Sequence, residues 1–151
     1  MSATGAALTY QWQRNNVNIS GATAASYSVA SATATDFASY TVIVSGTCGS
    51  LTSSSITIVQ IPGTVISAQP TATSTLCVGS LYTLSVTATG ANLSYQWQKQ
   101  NGASFTAISG ATNASFNIGS VATSDAGTYR VIVTGTCGAV TSSNAVLTVN
   151  S

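Results

Sequence analysis

The chain has 151 residues, of which 44% are hydrophobic and 3% are charged, with three basic residues, two acidic residues and no histidine. A surface with so little charge has almost no field to attract a nucleic acid or an anionic membrane, so we expect neither as a partner. It also lacks the like-charge repulsion that keeps proteins apart, which favours close packing between copies. The alternative is that the surface is neutral for reasons unrelated to packing between copies.

Serine, threonine and β-branched residues occur throughout the chain, and no apolar stripe follows helical spacing. Valine, isoleucine, leucine and aromatic residues recur instead at every second position, as in strands that bury one face. We therefore predict an all-β protein. The sequence has no run of about 18 apolar residues that could cross a membrane, and no export signal follows Met1. We expect a soluble segment, with any signal or anchor outside it.

The chain contains one sequence unit twice. Residues 2–13 align without a gap on residues 87–98, which brings Trp12 onto Trp97. In the second copy a predicted strand at 81–88 leads into this segment, whereas the first copy begins inside the equivalent strand. We therefore predict that the first copy lacks its N-terminal strands.

The two copies meet at a short linker, Gln-Ile-Pro-Gly, at residues 60–63. We predict an incomplete domain at 1–60 and a complete domain at 61–151. So short a linker allows little freedom, which favours a semi-rigid rod of domains placed end to end. Thr64 is expected to begin the first strand of the second domain. Pro70 is expected to split that strand, because proline in a sheet is confined to edges.

Three further strands are predicted in each copy, after a loop whose length differs between the copies, at 15–19 and 100–106. Apolar residues alternate in these strands. In the first copy they are Tyr27, Val29 and Ala32, then Tyr40, Val42 and Val44, then Ile56 and Ile58. In the second copy they are Phe116, Ile118 and Val121, then Tyr129, Val131 and Val133, then Val146 and Leu147 to Val149.

Two motifs indicate the kind of all-β fold. In each copy a tryptophan in an alternating strand is followed, after a gap, by Asp-x-Gly/Ala-x-Tyr at the start of another strand. This combination resembles strand C and the tyrosine corner of immunoglobulin-like sandwiches. The resemblance implies two tandem immunoglobulin-like β-sandwiches, the first lacking its N-terminal strands. It implies core and corner roles, with the aspartates hydrogen-bonding the turn, for Trp12, Trp97, Tyr40, Tyr129, Asp36 and Asp125.

The cysteines depart from the immunoglobulin pattern. Val86 and Val131 stand where that family has a disulfide between its sheets. Cys77 precedes strand B, the strand at 81–88, while Cys48 and Cys137 lie at equivalent turns after strand F, which contains the corner tyrosine. In this respect the chain resembles the tandem immunoglobulin-like repeats of bacterial cell-surface and adhesin-type proteins. The resemblance implies an extracellular location at a cell surface.

Two pairings of the cysteines are open. In this topology strands B and F run in the same direction, so Cys77 and Cys137 are expected at opposite ends of one domain, too far apart for a disulfide. We therefore predict that Cys77 pairs with the equivalent of Cys48 in the next unit of an array, in an oxidising setting. The alternative is a bridge between Cys77 and Cys137 that leaves Cys48 unpaired.

The sequence contains no set of residues suited to catalysis. Without histidine a Cys–His nucleophile is impossible, and three distant cysteines make no plausible zinc site. Asp36 and Asp125 are equivalent residues of separate domains, so they cannot flank one bond. No nucleotide-binding glycine pattern opens a helix. We expect no enzyme activity, no metal and no cofactor.

Two functions fit these observations. The first is structural, with modules packing end to end against other copies or neighbouring repeats in a stalk, filament or adhesin. The second is binding, with the loops at 15–19 and 100–106 recognising a glycan or a protein. A third hypothesis, that outward Thr83, Thr87 and Thr89 bind ice or mineral, rests on an alternation that is ordinary in a sheet.

The missing strands are expected to leave the first domain open. We predict an unpaired strand edge and an exposed half of a core that includes Trp12 and Val42. Such a domain is predicted to need strands from another chain or from an upstream segment, as in donor-strand complementation.

Overall fold

The computed structural model describes residues 3–151 and consists of β-strands with two short 3-10 helices, Ala34–Asp36 and Thr123–Asp125. It divides into two compact units, Met1–Gln60 and Ile61–Ser151. We call them unit 1 and unit 2.

Unit 1 is a single antiparallel sheet within its described residues. Its strands are β1 (Thr9–Arg14), β2 (Val17–Asn18), β3 (Ser39–Gly46), β4 (Gly49–Thr52) and β5 (Ile56–Thr57). The order is β2-β1-β3-β4, and β5 also pairs with β3. Trp12 lies opposite Val42, and Tyr10 lies opposite Val44. The alternating apolar residues of β1 and β3 therefore share one face of the sheet.

Unit 2 has two layers. Its strands are β6 (Val65–Ala68), β7 (Thr73–Cys77), β8 (Tyr82–Ser85), β9 (Thr87–Thr89), β10 (Ser94–Asn101), β11 (Ser104–Ala107), β12 (Ser115–Ile118), β13 (Gly127–Gly135), β14 (Gly138–Thr141) and β15 (Ala145–Asn150). The first layer has the order β11-β10-β13-β15-β7, with β14 also on β13. The second layer contains the pairs β12–β8 and β6–β9.

The core of unit 2 contains residues of both layers. Trp97 and Val131 from the first layer are fully buried, and Leu84 and Val86 from the second belong to the same apolar cluster. Val86, between β8 and β9, and Val131, in β13, are thus apolar core residues at the two positions that a disulfide would join in the immunoglobulin family.

The N-terminal strand of unit 2 is split at Pro70, as predicted. Before the proline, β6 pairs antiparallel with β9, and after it β7 pairs parallel with β15. Pro70 is buried between these two segments. Because proline has no N–H to donate, the chain can leave one ladder there and join another.

The predicted strand around Tyr27 and Val29 is absent, since residues 21–32 contain no strand. In unit 2 the equivalent strand, β12, has β8 as its only ladder partner. The described part of unit 1 contains no counterpart of β8. A strand without a partner has no backbone hydrogen bonds to form a ladder, so the segment stays irregular.

The expected exposure of Val42 is wrong, because Val42 is only 1% exposed. The irregular segment folds across the sheet, and the Tyr27 ring lies 6.1 Å from the rings of both Trp12 and Tyr40. Trp12 is the cross-strand partner of Val42. Trp12 itself is half-buried, so the predicted opening of the core holds for Trp12 and not for Val42.

Candidate functional site

A tyrosine hydrogen-bonds the backbone at the start of the same turn in each unit. The Tyr129 hydroxyl donates to the carbonyl oxygen of Asp125 at 2.6 Å, and the Tyr40 hydroxyl donates to that of Asp36 at 3.0 Å. Both tyrosines are buried. Burial, together with the negative charge of Asp125, raises the pKa of Tyr129 to about 12. These hydrogen bonds therefore hold the turn against the strand. Because both tyrosine side chains are buried, they do not form a binding surface.

The two corner aspartates hold the turns that precede the tyrosines. Asp36 Oδ2 accepts hydrogen bonds from the backbone N–H and the hydroxyl of Thr33, and these bonds lower the pKa of the Asp36 carboxyl, with a smaller effect from Arg14. Asp125 Oδ2 accepts a hydrogen bond from the backbone N–H of Ala122 at 2.8 Å. Each carboxylate acts on its own unit and has a structural partner.

The predicted core tryptophans belong to one aromatic arrangement that occurs in both units. In unit 2 the Phe116 ring lies 6.3 Å from Trp97 and 6.2 Å from Tyr129. Tyr27 takes the place of Phe116 between Trp12 and Tyr40 in unit 1. Offset and tilted contacts at this spacing stabilise a core.

Each of the three positively charged side chains interacts with a partner in its own unit. Arg14 lies 3.6 Å from the carboxylate of Asp36. The Nζ of Lys99 donates to the carbonyl of Ser124 at 2.6 Å and lies over a corner tyrosine ring. Arg130 donates to Gln98 at 2.8 Å and stacks 3.9 Å from the centre of the Phe105 ring. The described residues therefore present no cluster of free positive charge to an anionic ligand.

The loops proposed as binding loops are tight β-hairpins. Asn15 and Asn16, with φ of 50° and 64°, form the two-residue turn between β1 and β2. In unit 2 the turn between β10 and β11 contains Gly102 at φ 61°. Consecutive residues of positive φ are typical of hairpin turns with the twist of the adjoining strands. The structure thus has short hairpins where the sequence predicted loops at 15–19 and 100–106.

The cysteines are exposed thiols at the ends of the units. Cys77 ends β7 opposite Asn150, close to the C-terminus of unit 2. Cys137 lies at the hairpin after β13, with its sulfur 3.7 Å from the carbonyl oxygen of Ile61, where unit 2 begins. Cys48 lies at the equivalent hairpin of unit 1, next to Thr47, whose N–H donates to the carbonyl of Ala6.

Cys77 and Cys137 lie at opposite poles of unit 2. The nine residues of β13 connect the corner at Asp125 with the hairpin of Cys137, a length of about 30 Å at roughly 3.3 Å per residue. Cys77 lies at the corner end, since the N–H of Gly79 donates to Val121 just before the corner. A disulfide needs Cα atoms within about 7 Å of each other. An in-domain bridge between these two cysteines would have to span the length of β13.

Sequence reasoning missed two serines that complete the sheets. Ser142 Oγ accepts a hydrogen bond from the N–H of Val131 at 3.0 Å, and Ser53 Oγ accepts one from Val42 at the same distance. Both serines lie where the last strand of the unit is interrupted. The sequence feature that could have identified them is the occurrence of a serine at the equivalent position of each copy of the repeat.

Among the residues that the structure describes, no group of histidine, cysteine, aspartate or glutamate could hold a metal ion. No helix in the described part of the chain has the length and apolar character needed to cross a membrane.

A family model described as a domain of unknown function, DUF8696, matches residues 66–151, which is more than half of the chain. The chain belongs to this family. The DUF8696 match starts within β6 and includes every later strand of unit 2. No curated protein sequence matches the chain.

Solved structures of immunoglobulin domains resemble the chain. A three-domain structure of a titin variant aligns with a TM-score of 0.68 and 16% identity, over 95% of this chain and 56% of that one. Extracellular domains 3–5 of Drosophila OTK align with a TM-score of 0.60 and 16% identity, over 95% of this chain and 52% of that one. Immunoglobulin domains 1–5 of Sidekick-1 align with a TM-score of 0.51 and 21% identity, over 94% of this chain and 33% of that one.

These likenesses confirm the predicted immunoglobulin-like fold. At such low identity they show the fold alone, because this sandwich carries many functions. The chain spans about half the length of the titin and OTK structures.

Proposed function

We propose that the chain is a non-enzymatic structural repeat module of an extracellular stalk, filament or adhesin, and that its modules pack end to end. The observation that supports this proposal is the position of the two chain ends of unit 2. Ile61 lies beside Cys137 at one pole, and Asn150 lies beside Cys77 at the other. A module whose chain enters at one pole and leaves at the other can be repeated in a line without long connections.

The composition also favours this function. Three basic and two acidic residues in 151 leave little repulsion between neighbouring copies. The cations are held by partners within their own units, so the surface carries few charges that would resist close contact.

The cysteines supply the covalent link between successive copies in this proposal. Cys77 is exposed at the pole where unit 2 ends, and Cys48 is exposed at a hairpin of unit 1. We propose that Cys77 of one copy and Cys48 of the next form a disulfide by exchange with a disulfide oxidant. The two thiols lose two protons and two electrons, and the oxidant is reduced to two thiols.

Oxidation of the 151-residue chain with oxidised glutathione tests the link. We expect covalent ladders on non-reducing gels and a peptide that joins Cys77 to Cys48. The Cys77→Ser variant should give no ladder, whereas Cys137→Ser should still give one. A link between Cys77 and Cys137 in a monomer, or ladders that survive Cys77→Ser, would refute the proposed pairing.

Electron microscopy tests the packing itself. We expect linear assemblies with an axial repeat of one or two modules, each somewhat longer than the roughly 30 Å of β13. The alternative function is adhesion to a glycan or protein through the hairpins at 15–19 and 100–106. A monodisperse monomer that is retained on a glycan array would favour that alternative and contradict the structural proposal.

A further inference from the structure

The outward face of the first layer of unit 2 carries an arginine that is stacked on an aromatic ring. Arg130 stands between Tyr129 and Val131, which are buried, so the alternation of the strand turns Arg130 away from the core. Its guanidinium lies 3.9 Å from the centre of the Phe105 ring, and its Nε donates to the side-chain oxygen of Gln98 at 2.8 Å. The guanidinium is therefore held in one orientation before any ligand binds.

Two departures from the repeat produce this contact. The hairpin of unit 2 contains a residue pair, Gln100 opposite Phe105, that the hairpin of unit 1 lacks. Arg130 stands where unit 1 has Thr41, and the central strands pair in the same register in both units. The fold therefore does not require the arginine. Two separate changes that meet at one place of the surface indicate a role for the pair beyond folding.

The positive charge of Arg130 has no acidic partner among the residues that the structure describes. The ion pair found there joins Arg14 to Asp36, in unit 1. Arg130 uses its Nε for Gln98, and no acceptor in the described part of the chain bonds its Nη1 or Nη2. A guanidinium whose plane is fixed and whose terminal N–H groups are free is suited to a bidentate bond with a carboxylate. Because its orientation is already set, little conformational freedom is lost on binding.

The side chains of a second copy do not supply this carboxylate. The chain has two acidic residues, Asp36 and Asp125. Each accepts a hydrogen bond from a backbone N–H in its own turn, as described above. The complementary group therefore belongs to a molecule of different composition that carries carboxylates.

The place of Arg130 in the sheet favours a carbohydrate over a peptide. Both β10 and β13 are interior strands of their layer, so a peptide strand has no open edge there to pair with. Acidic and phosphorylated peptide motifs are recognised by clusters of arginines, whereas this face has a single one. The outward positions around it carry the amides of Gln98 and Gln100 and the hydroxyl of Thr128. Amides and hydroxyls both donate and accept hydrogen bonds, as the hydroxyl groups of sugars require.

We propose that this face of unit 2 binds an acidic polysaccharide, with the terminal N–H groups of Arg130 donating to the carboxylate of a uronic acid residue. Phe105 and Gln98 hold the guanidinium, and the exposed amide of Gln100 is available to a sugar hydroxyl. One guanidinium matches one carboxylate, whereas a polymer with dense phosphate or sulfate needs several cations. The site lies on a sheet face and not at a pole, so binding does not depend on the packing of modules end to end.

The test is an NMR titration of the 151-residue chain with tetragalacturonic acid, an oligosaccharide whose only charges are carboxylates. The Nε–H signal of Arg130 and the amide signals of residues 98–107 and 128–132 are followed. We expect saturable shifts at these groups, with a dissociation constant of about 1 mM. The methyl ester of the same oligosaccharide should bind at least about tenfold more weakly, because it offers the guanidinium no charge.

Three variants separate the site from a general effect of charge. Arg130→Thr gives unit 2 the residue that unit 1 has, and should weaken binding at least about tenfold while the signals of the core of unit 2 keep their positions. Phe105→Ala should weaken binding about threefold, because the guanidinium loses the ring that orients it. Arg14→Gln removes the same charge from unit 1 and should leave binding unchanged.

Four outcomes would overturn the proposal. The first is the absence of a saturable shift at Arg130 up to about 10 mM tetragalacturonic acid. The second is equal binding of the acid and its methyl ester. The third is an equal loss of binding in Arg14→Gln and Arg130→Thr, which would show an unspecific effect of net charge. The fourth is binding of a tetraglutamate peptide as tight as that of tetragalacturonic acid, because the site would then recognise acidic peptides.

Discussion

Replacing Trp97 with alanine should remove a large part of the stability of unit 2. The side chain is fully buried, and its N–H donates to the carbonyl of Asn113 at 2.9 Å. A buried tryptophan covers roughly 150–250 Å², which at about 25 cal/mol per Å² corresponds to about 4–6 kcal/mol. This agrees with the roughly 3–5 kcal/mol lost when large aromatic residues are truncated in cores. A domain of this size is stable by only about 5–14 kcal/mol.

Urea denaturation followed by hydrogen exchange measures this loss, because exchange resolves the two units separately. The control is Trp12→Ala, at the equivalent position of unit 1, where the side chain is half-buried. We expect a clearly smaller loss there, confined to unit 1, since a partly exposed side chain gains less from burial. A Trp97→Ala variant with an unchanged denaturation midpoint would refute the assignment of this residue to the core of a sandwich.

Two further predictions concern single hydrogen bonds in unit 2. Ser142→Ala leaves the buried N–H of Val131 without an acceptor and should lower the free energy of unfolding by about 1–3 kcal/mol. Ser53→Ala should cost less, because Ser53 is less buried than Ser142. Equal losses in denaturant titrations would contradict this reasoning. Because the pKa of Tyr129 is raised to about 12, its protonated form is favoured in the folded state. The stability of unit 2 should therefore fall between about pH 10 and pH 12, by up to about 3 kcal/mol. Tyr129→Phe should remove that fall, and a fall that persists in the variant would assign it to another group.

The sequence predicted well those parts of the fold that depend only on neighbouring residues in the chain. Trp97 and Tyr129 lie in strands whose apolar residues alternate, and alternation alone places them on the buried face. Pro70 also acts locally, because a missing N–H ends a ladder wherever the residue stands. These features need no knowledge of what lies across the sheet.

The errors concern residues whose state depends on a distant strand. Tyr27 and Val29 have the alternation of a strand, but a ladder requires a neighbour that the described part of unit 1 does not supply. Val42 was expected to be exposed for the same reason, and the irregular segment covers it instead. Alternation records which side chains can be buried together, whereas burial itself depends on what packs against them.

The candidate site was predicted only in part. The repeat alignment predicts which positions of the two units are equivalent, such as Gly46 and Gly135. A pocket of unit 1 that Gly5 and Gly46 line does not follow from the sequence, because a glycine indicates a turn as readily as a close approach of two strands. In unit 2, a Cβ added at Gly135, the equivalent of Gly46, would collide with the Thr64 side chain, and only the structure shows this close approach.

The parallel pairing of β7 with β15 has a mechanical consequence. The chain reaches β7 from the N-terminal end of unit 2 and leaves through β15, and five residue pairs join the two strands, from Thr73 opposite Val146 to Cys77 opposite Asn150. Tension applied to the two ends pulls these strands past each other along their length. The bonds of the ladder are then loaded together in shear instead of breaking one after another, as they do when a hairpin is peeled apart. Through β7, the strand that follows Pro70, unit 2 therefore resists pulling on its two ends.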